Sequence, residues 1–252
     1  MYFRDIIKSF LISSTLHFSK CFFIRKGLYR VMLNLIDQIN LEIEKQSLLK
    51  HDFYRLWQDG KLTLDHLAGY SREYFQLVKI VPTLVENVLK NNKMKKYDNL
   101  IQNTLKDECK HIEPWVNFSS SLNVDRNELM NYNGDNLTKQ AINDLIAISE
   151  SSFEEAVSAL YAFEKELPKI SETKLDGLSK FYGITGEDSR EYFNIHKEID
   201  IYHSKIWGNI ISESSKDKKE KMLNAAILSL ESQNKILDSV KSKYVDESTV
   251  TC

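Results

Sequence analysis

The chain has 252 residues, 42% hydrophobic and 28% charged, which is enough for one well-filled core and too apolar for general disorder. Its 34 basic and 36 acidic side chains nearly cancel, which excludes the basic excess of a general nucleic-acid binder. Eight Gly and three Pro are too few for the turns of a β-sandwich or barrel, and three cysteines (Cys21, Cys109, Cys252) at unrelated spacings exclude a disulfide framework.

Residues 1–31 stand apart from the rest. Arg4, Lys8, Lys20, Arg25, Lys26 and Arg30 face one acid, Asp5. The uncharged stretch between Lys8 and Lys20 carries Ser13, Ser14, Thr15 and His17, and is too short and polar to span a bilayer. No small-x-small site follows it, so it is a weak secretory signal. The expectation is a presequence-like extension or an over-called start, with Met32 opening one domain over 32–252. The odd, unframed cysteines fit a reducing compartment, so that domain is expected in the cytoplasm.

Apolar residues at Leu33, Leu35, Ile36, Ile39, Leu41 and Ile43 predict an amphipathic helix over 33–44. A short helix over 48–58 is stopped by Asp59-Gly60. Thr63 caps a helix through Tyr70, Tyr74 and Leu77, kinked near Pro82. The next long helix is expected over 97–122 with Pro114 inside it, followed by a polar loop over 123–134 and a helix over 137–150. Ser152 and Glu155 form a capping box that opens a helix through Ile170. Ser171 caps a shorter one, ending near Gly183. Long helices over 186–212 and 218–244 close the fold. The whole reads as an all-α bundle.

Three of these helices carry carboxylates and imidazoles at ligand spacing. Glu108 and His111 are three apart, the Glu-x-x-His spacing of carboxylate-bridged dimetal bundles, with Asp107 beside Glu108 as the alternative carboxylate. His196, Asp200 and His203 fall at i, i+4 and i+7 and form one stripe. Tyr192, Phe193, Ile199 and Trp207 make that stripe partly apolar, and burying two imidazoles and a carboxylate there is costly unless something binds them. Glu164 sits among Leu160, Tyr161, Phe163 and Leu167, and Pro168 should bend the helix at the turn that carries it. Three carboxylates and three imidazoles suit two divalent ions, iron or manganese rather than structural zinc. Six ligands for two metals leave open positions, as dioxygen activation needs. His51 and His66, near helix starts, read as structural. Cys109 points about 100° from the Glu108 stripe and reads as a buried, inert thiol.

The order of His51-Asp52-Phe53-Tyr54-Arg55-Leu56-Trp57, Leu67-Ala68-Gly69-Tyr70-Ser71-Arg72-Glu73-Tyr74, Asp107-Glu108, Ala159-Leu160-Tyr161-Ala162-Phe163-Glu164 and the His196–His203 stripe resembles one family. It is that of the Chlamydia protein associating with death domains, haem-oxygenase-like dimetal oxidases related more distantly to pyrroloquinoline-quinone synthase C and thiaminase II. The resemblance runs from about residue 32 to 212 and more loosely to 244. It implies a haem-oxygenase-like bundle of seven or eight helices without haem, often dimeric. It also implies oxygen-dependent synthesis of 4-aminobenzoate for folate, driven by an external reductant. The substrate would be the protein's own tyrosine: Tyr54, with Tyr70 as the auxiliary or alternative tyrosine and Lys174 as the amino donor. Two other readings stand beside it. One is a dimetal oxidase with a separate small-molecule substrate, and the other is an interaction protein for a host death domain, for which the resemblance implies secretion into a host cell.

Overall fold

The computed structural model describes residues 33–246, so the expected extension over 1–31 and the start at Met32 lie outside the described residues. The described residues form α-helices joined by short turns, with no strand among them. In chain order these are α1 (Leu35–Lys45), α2 (Asp52–Gln58), α3 (Leu64–Val78), α4 (Val81–Asn91), α5 (Asp98–Lys110), α6 (Ile112–Ser120), α7 (Arg126–Asn131), α8 (Asn136–Glu150), α9 (Phe153–Glu164), α10 (Leu167–Phe181), α11 (Glu187–Glu213) and α12 (Lys219–Val240). The expected all-α bundle is what forms. None of the described helices is long and apolar enough to cross a membrane.

All three prolines act by one rule. A proline removes the hydrogen bond to the carbonyl four residues back, and its ring clashes there. Four residues before Pro82, Pro114 and Pro168 stand Val78, Lys110 and Glu164, and these are the last residues of α3, α5 and α9. Each proline then sits in the first turn of the next helix, where its missing N–H is no loss. The kink expected at Pro82 is thus a break, and the expected helices over 97–122 and 152–170 are each two. Ser171 caps nothing, because α10 has already started at Leu167 and buries Ser171 in its interior. The expected loop over 123–134 contains α7, capped by the Asp125 carboxylate.

Two of the expected N-caps form. Ser152 Oγ accepts from Glu155 N, and Thr63 Oγ1 accepts from His66 N while His66 Nδ1 accepts from Thr63 N. His51 Nδ1 accepts from Phe53 N and its Nε2 reaches Asp238, so His51 and His66 have the structural roles expected of them. Helix α9 is apolar on nearly every side, with Ala156, Ala159 and Ala162 permitting close approach. It runs through the middle of the bundle and packs on α12, α11, α8 and α4. The side chains of Trp57, Trp115 and Trp207 fill the core around it.

Candidate metal centre and the buried tyrosine cluster

The proline breaks set the first part of the site. Glu108 lies in the last turn of α5, and His111 is the single residue between α5 and α6. His111 Nδ1 lies 3.2 Å from Glu108 Oε2. The stripe of α11 supplies His196, Asp200 and His203, all buried. The end of α9 supplies Glu164, whose Oε2 accepts from Trp207 Nε1 at 2.7 Å. All six candidate residues thus come together at the centre of the bundle. The other Glu108 oxygen is 3.4 Å from His203 Nδ1, which also lies 3.7 Å from Asp200 and 3.9 Å from Glu164.

Two groups share Glu108. Ligand atoms of Glu108, His111 and His196 lie within 4.8 Å of one another, and so do those of Glu108, Asp200 and His203. A carboxylate common to two sets of donors is the arrangement of a bridged dimetal centre. His196 is already oriented for such a role. Its ring stacks on Tyr192 at 4.0 Å, and its Nδ1–H donates to the Tyr192 carbonyl at 2.7 Å, which leaves Nε2 free. Asp107, the alternative to Glu108, is a third exposed and ion-pairs with Lys110, with its far oxygen 3.9 Å from His203 Nε2. Glu108 is the buried carboxylate of the pair.

Polar atoms in this cluster are left over. Both Asp200 oxygens, both His203 nitrogens and Glu164 Oε1 are buried without a hydrogen-bond partner among the described residues. Buried orphans of that kind need a partner, and a cation supplies one to carboxylate and imidazole alike. The charges agree. Burial raises the Glu164 and Asp200 carboxyls, and it pushes His203 down. The carboxylates of Asp200, Glu108 and Glu164 outweigh it and hold His203 at about 10. Burial likewise pushes Glu108 up, but His111 and His203 bring it to about 2. A pocket that stabilises an imidazolium among carboxylates is a pocket that stabilises a cation. The mixed N/O donor set fits iron or manganese.

A second cluster gathers Tyr54, Tyr70 and Lys174. Tyr54 from α2 and Tyr70 from α3 are fully buried, and their hydroxyls are 3.3 Å apart. Lys174 from α10 is 2% exposed, and its Nζ lies 2.5 Å from Tyr70 Oη. The amine has no carboxylate partner among the described residues. Around it stand the rings of Tyr54, Tyr70, Tyr74 and Phe193, with centroids 4.9–5.2 Å away. Burial pulls the Lys174 amine well below the ordinary lysine range and pushes the Tyr54 and Tyr70 phenols well above theirs.

Some of this was not read from the sequence. Trp207 is one turn beyond His203 on the same stripe, and that spacing marks it as the Glu164 donor only once Glu164 is known to face it. Thr104, one turn before Glu108, buries a hydroxyl without a partner, and nothing in the sequence singles it out. Cys109 is exposed rather than buried. With Glu108 turned into the core, the next residue round an amphipathic helix faces outward.

A helical bundle with a haem-oxygenase-like fold and buried carboxylate–imidazole donors at its centre defines a metal-dependent oxidoreductase of the dimetal type. Residues 68–233 match the family of iron-containing redox enzymes, and the chain belongs to that family. It is 28% identical over 220 residues to a 4-aminobenzoate synthase of Chlamydia muridarum, covering 85% of this chain and 93% of that one. It is 30% identical over 225 residues to a 4-aminobenzoate synthase of Nitrosomonas europaea, covering 82% and 91%. Among solved structures, a haem-oxygenase-like domain of unknown function from Shewanella denitrificans superposes with a TM-score of 0.74 at 20% identity, covering 84% of this chain and 94% of that one.

Proposed function

We propose that this chain is a 4-aminobenzoate synthase that consumes its own Tyr54 side chain and takes the amino nitrogen from Lys174. Glu108, His111, Glu164, His196, Asp200 and His203 would hold two divalent ions, both iron, both manganese or one of each. With dioxygen and an external reductant, bound ions would supply the oxidising equivalents needed to break the Tyr54 Cα–Cβ bond.

The observation that carries the reading is the lysine. A buried amine without a counter-ion is expensive to keep, and it is useful only where a neutral nucleophile is needed. Lys174 lies against the Tyr70 hydroxyl, with its nitrogen over the Tyr54 ring. Phe53 and Trp57 hold the Tyr54 ring edge-on or tilted, and the chamber excludes water from it. Tyr192 orients His196, and Trp207 orients Glu164. The named activity of the two relatives supports the same product.

The test uses the chain loaded anaerobically with ferrous and manganous ions, then given reductant and oxygen without any added substrate. Mass spectrometry should find 4-aminobenzoate in amounts that never exceed the protein, and a Tyr54 peptide that has lost its side chain. Product formed in Tyr54→Phe, or an intact Tyr54 peptide after turnover, would falsify the self-consuming reading and favour a dimetal oxidase with a separate substrate.

A further inference from the structure

Tyr54, Tyr70 and Lys174 form one chain of polar atoms in an otherwise apolar chamber. The Tyr54 and Tyr70 hydroxyls are 3.3 Å apart, and the Tyr70 hydroxyl is 2.5 Å from Lys174 Nζ. Lys174 meets Tyr54 only over its ring face, 5.2 Å from the centroid. The shortest polar route from the Tyr54 phenol to the amine therefore passes through Tyr70.

An ordinary lysine is an ammonium, with three donors and no acceptor. Burial without a counter-charge turns Lys174 into an amine with a lone pair. At that distance the lone pair can accept the Tyr70 proton, and Tyr70 Oη is then free to accept from Tyr54. The other titratable groups around the chain are the phenols of Tyr74 and Tyr192, which burial also pushes up, and Glu166, which acts on Tyr54 only through its field. None of them offers Tyr54 a competing base.

The geometry points to Tyr70 as a proton carrier, neither cleaved nor aminated, that passes the Tyr54 phenol proton to Lys174 when Tyr54 loses an electron. This role rests on the reading of Tyr54 as the consumed side chain. The electron leaves the Tyr54 ring for a one-electron oxidant, supplied in the loaded protein by the metals and dioxygen. The Tyr54 O–H bond breaks and an O–H bond forms on Tyr70. The Tyr70 O–H bond breaks and an N–H bond forms on Lys174. Tyr54 ends as a neutral phenoxyl radical, Tyr70 as a phenol and Lys174 as an ammonium. The positive charge stays in the chamber but moves from a phenol radical cation, a very strong acid, to an ammonium, a weak one, and Lys174 recovers its lone pair when that proton leaves.

The test needs no metal. The full chain, metal-free, is oxidised by a flashed ruthenium polypyridyl with an external electron acceptor, in H2O and in D2O. Phenoxyl formation is followed by time-resolved absorption, and the part of the signal lost in Tyr54→Phe belongs to Tyr54. That part should form more slowly in D2O. In Tyr70→Phe and in Lys174→Met, each checked for native helical circular dichroism, it should form at least about 100-fold more slowly, as expected for loss of a positioned base, and should lose its D2O dependence. Either variant carries the test if the other does not fold. A Tyr54 radical that forms at the wild-type rate in a folded variant overturns the proton-carrier role and leaves the metal reading standing. Failure of the metal-loaded protein to make product would leave the carrier role standing.

Discussion

Lys174→Met should stabilise the folded protein at neutral pH, and the gain should shrink as the pH rises. In the unfolded chain the amine titrates near about 10.4. Burial draws it well below that in the fold, while the rings of Tyr54, Tyr74 and Phe193, within 5.2 Å of Nζ, favour the ammonium. A desolvated cation–π contact contributes roughly 2 kcal/mol, whereas desolvating the ion costs several. With no carboxylate to help, desolvation outweighs the rings, and the role proposed for Lys174 requires the amine to be neutral at pH 7. Folding then sheds a proton at about 1.36 kcal/mol per pH unit below about 10.4, which comes to about 4.6 kcal/mol at pH 7. Methionine is of similar length and removes that term. It also gives up the hydrogen bond to Tyr70, about 1 kcal/mol, so its net advantage is about 3 to 4 kcal/mol. Because the unfolded chain binds the extra proton, wild-type stability rises with pH up to about 10.4, and the advantage of methionine falls. Urea unfolding of both proteins at pH 7, 8 and 9 measures this directly. The advantage should drop by about 2.7 kcal/mol between pH 7 and 9, since the other ionisations are common to both chains. A difference that does not change with pH would mean that the ring cage keeps the ammonium charged. Lys174 could then be neither base nor nucleophile.

His203→Ala should lower the metal bound per chain, read by elemental analysis after loading and desalting, because it removes a donor that faces three carboxylates. Trp207→Phe keeps the ring and removes the N–H on Glu164 Oε2, so metal affinity should fall about 10- to 100-fold in a competition with a chelator. Tyr54→Phe should abolish product while retaining metal, and should cost no more than about 1 kcal/mol in urea unfolding, since Tyr70 keeps its contact with Lys174. Gly69→Ala should cost about 1 to 3 kcal/mol, because its methyl group would fall on the ring of Tyr244 in the C-terminal turn, and a second change, Tyr244→Ala, should recover part of the loss.

The sequence carried the helical architecture and the shared face of the candidate stripe on α11, for physical reasons that are local. Caps at Thr63 and Ser152 are decided by a side chain and an amide three residues on. His196, Asp200 and His203 share a face because 3.6 residues make a turn. The proline effects are local too, but the sequence alone suggests a kink near Pro82, a bend before Pro168 and Pro114 inside one long helix. The stronger outcome, a break at the fourth residue before each proline, is what lets Glu108 and His111 meet across a helix junction and puts Glu164 at a helix end. What stayed hidden was burial set by other elements. Nothing between Ser171 and Lys174 says that this lysine turns inward, since its cage is built by α2, α3 and α11. The resemblance singled out Lys174 without saying how it is kept neutral. Cys109 went the other way, and only the facing of Glu108 decides it.

Two clusters with opposite electrical demands share this bundle, and the packing between them explains how both persist. The carboxylates around His203 gather positive charge, and Lys174 would satisfy one of them if it could reach. An amine so paired would be held as an ammonium and would lose its lone pair. What stands between is a wall of rings. Tyr74 stacks on Trp115 at 5.1 Å, Trp115 meets Tyr192 edge-on at 4.6 Å, and Tyr192 covers His196. Phe193, the next residue of α11, faces Lys174 Nζ. Trp115 is itself pinned to α3 through a hydrogen bond from its indole to the Ser71 carbonyl. Adjacent residues of one helix thus serve the two clusters, Tyr192 by orienting His196 and Phe193 by walling in the amine. A shift of α11 by one turn, about 5.4 Å, would disorganise both together. The aromatic content of the core therefore does two things at once: it fills the bundle, and it keeps the Lys174 amine and the buried carboxylates apart.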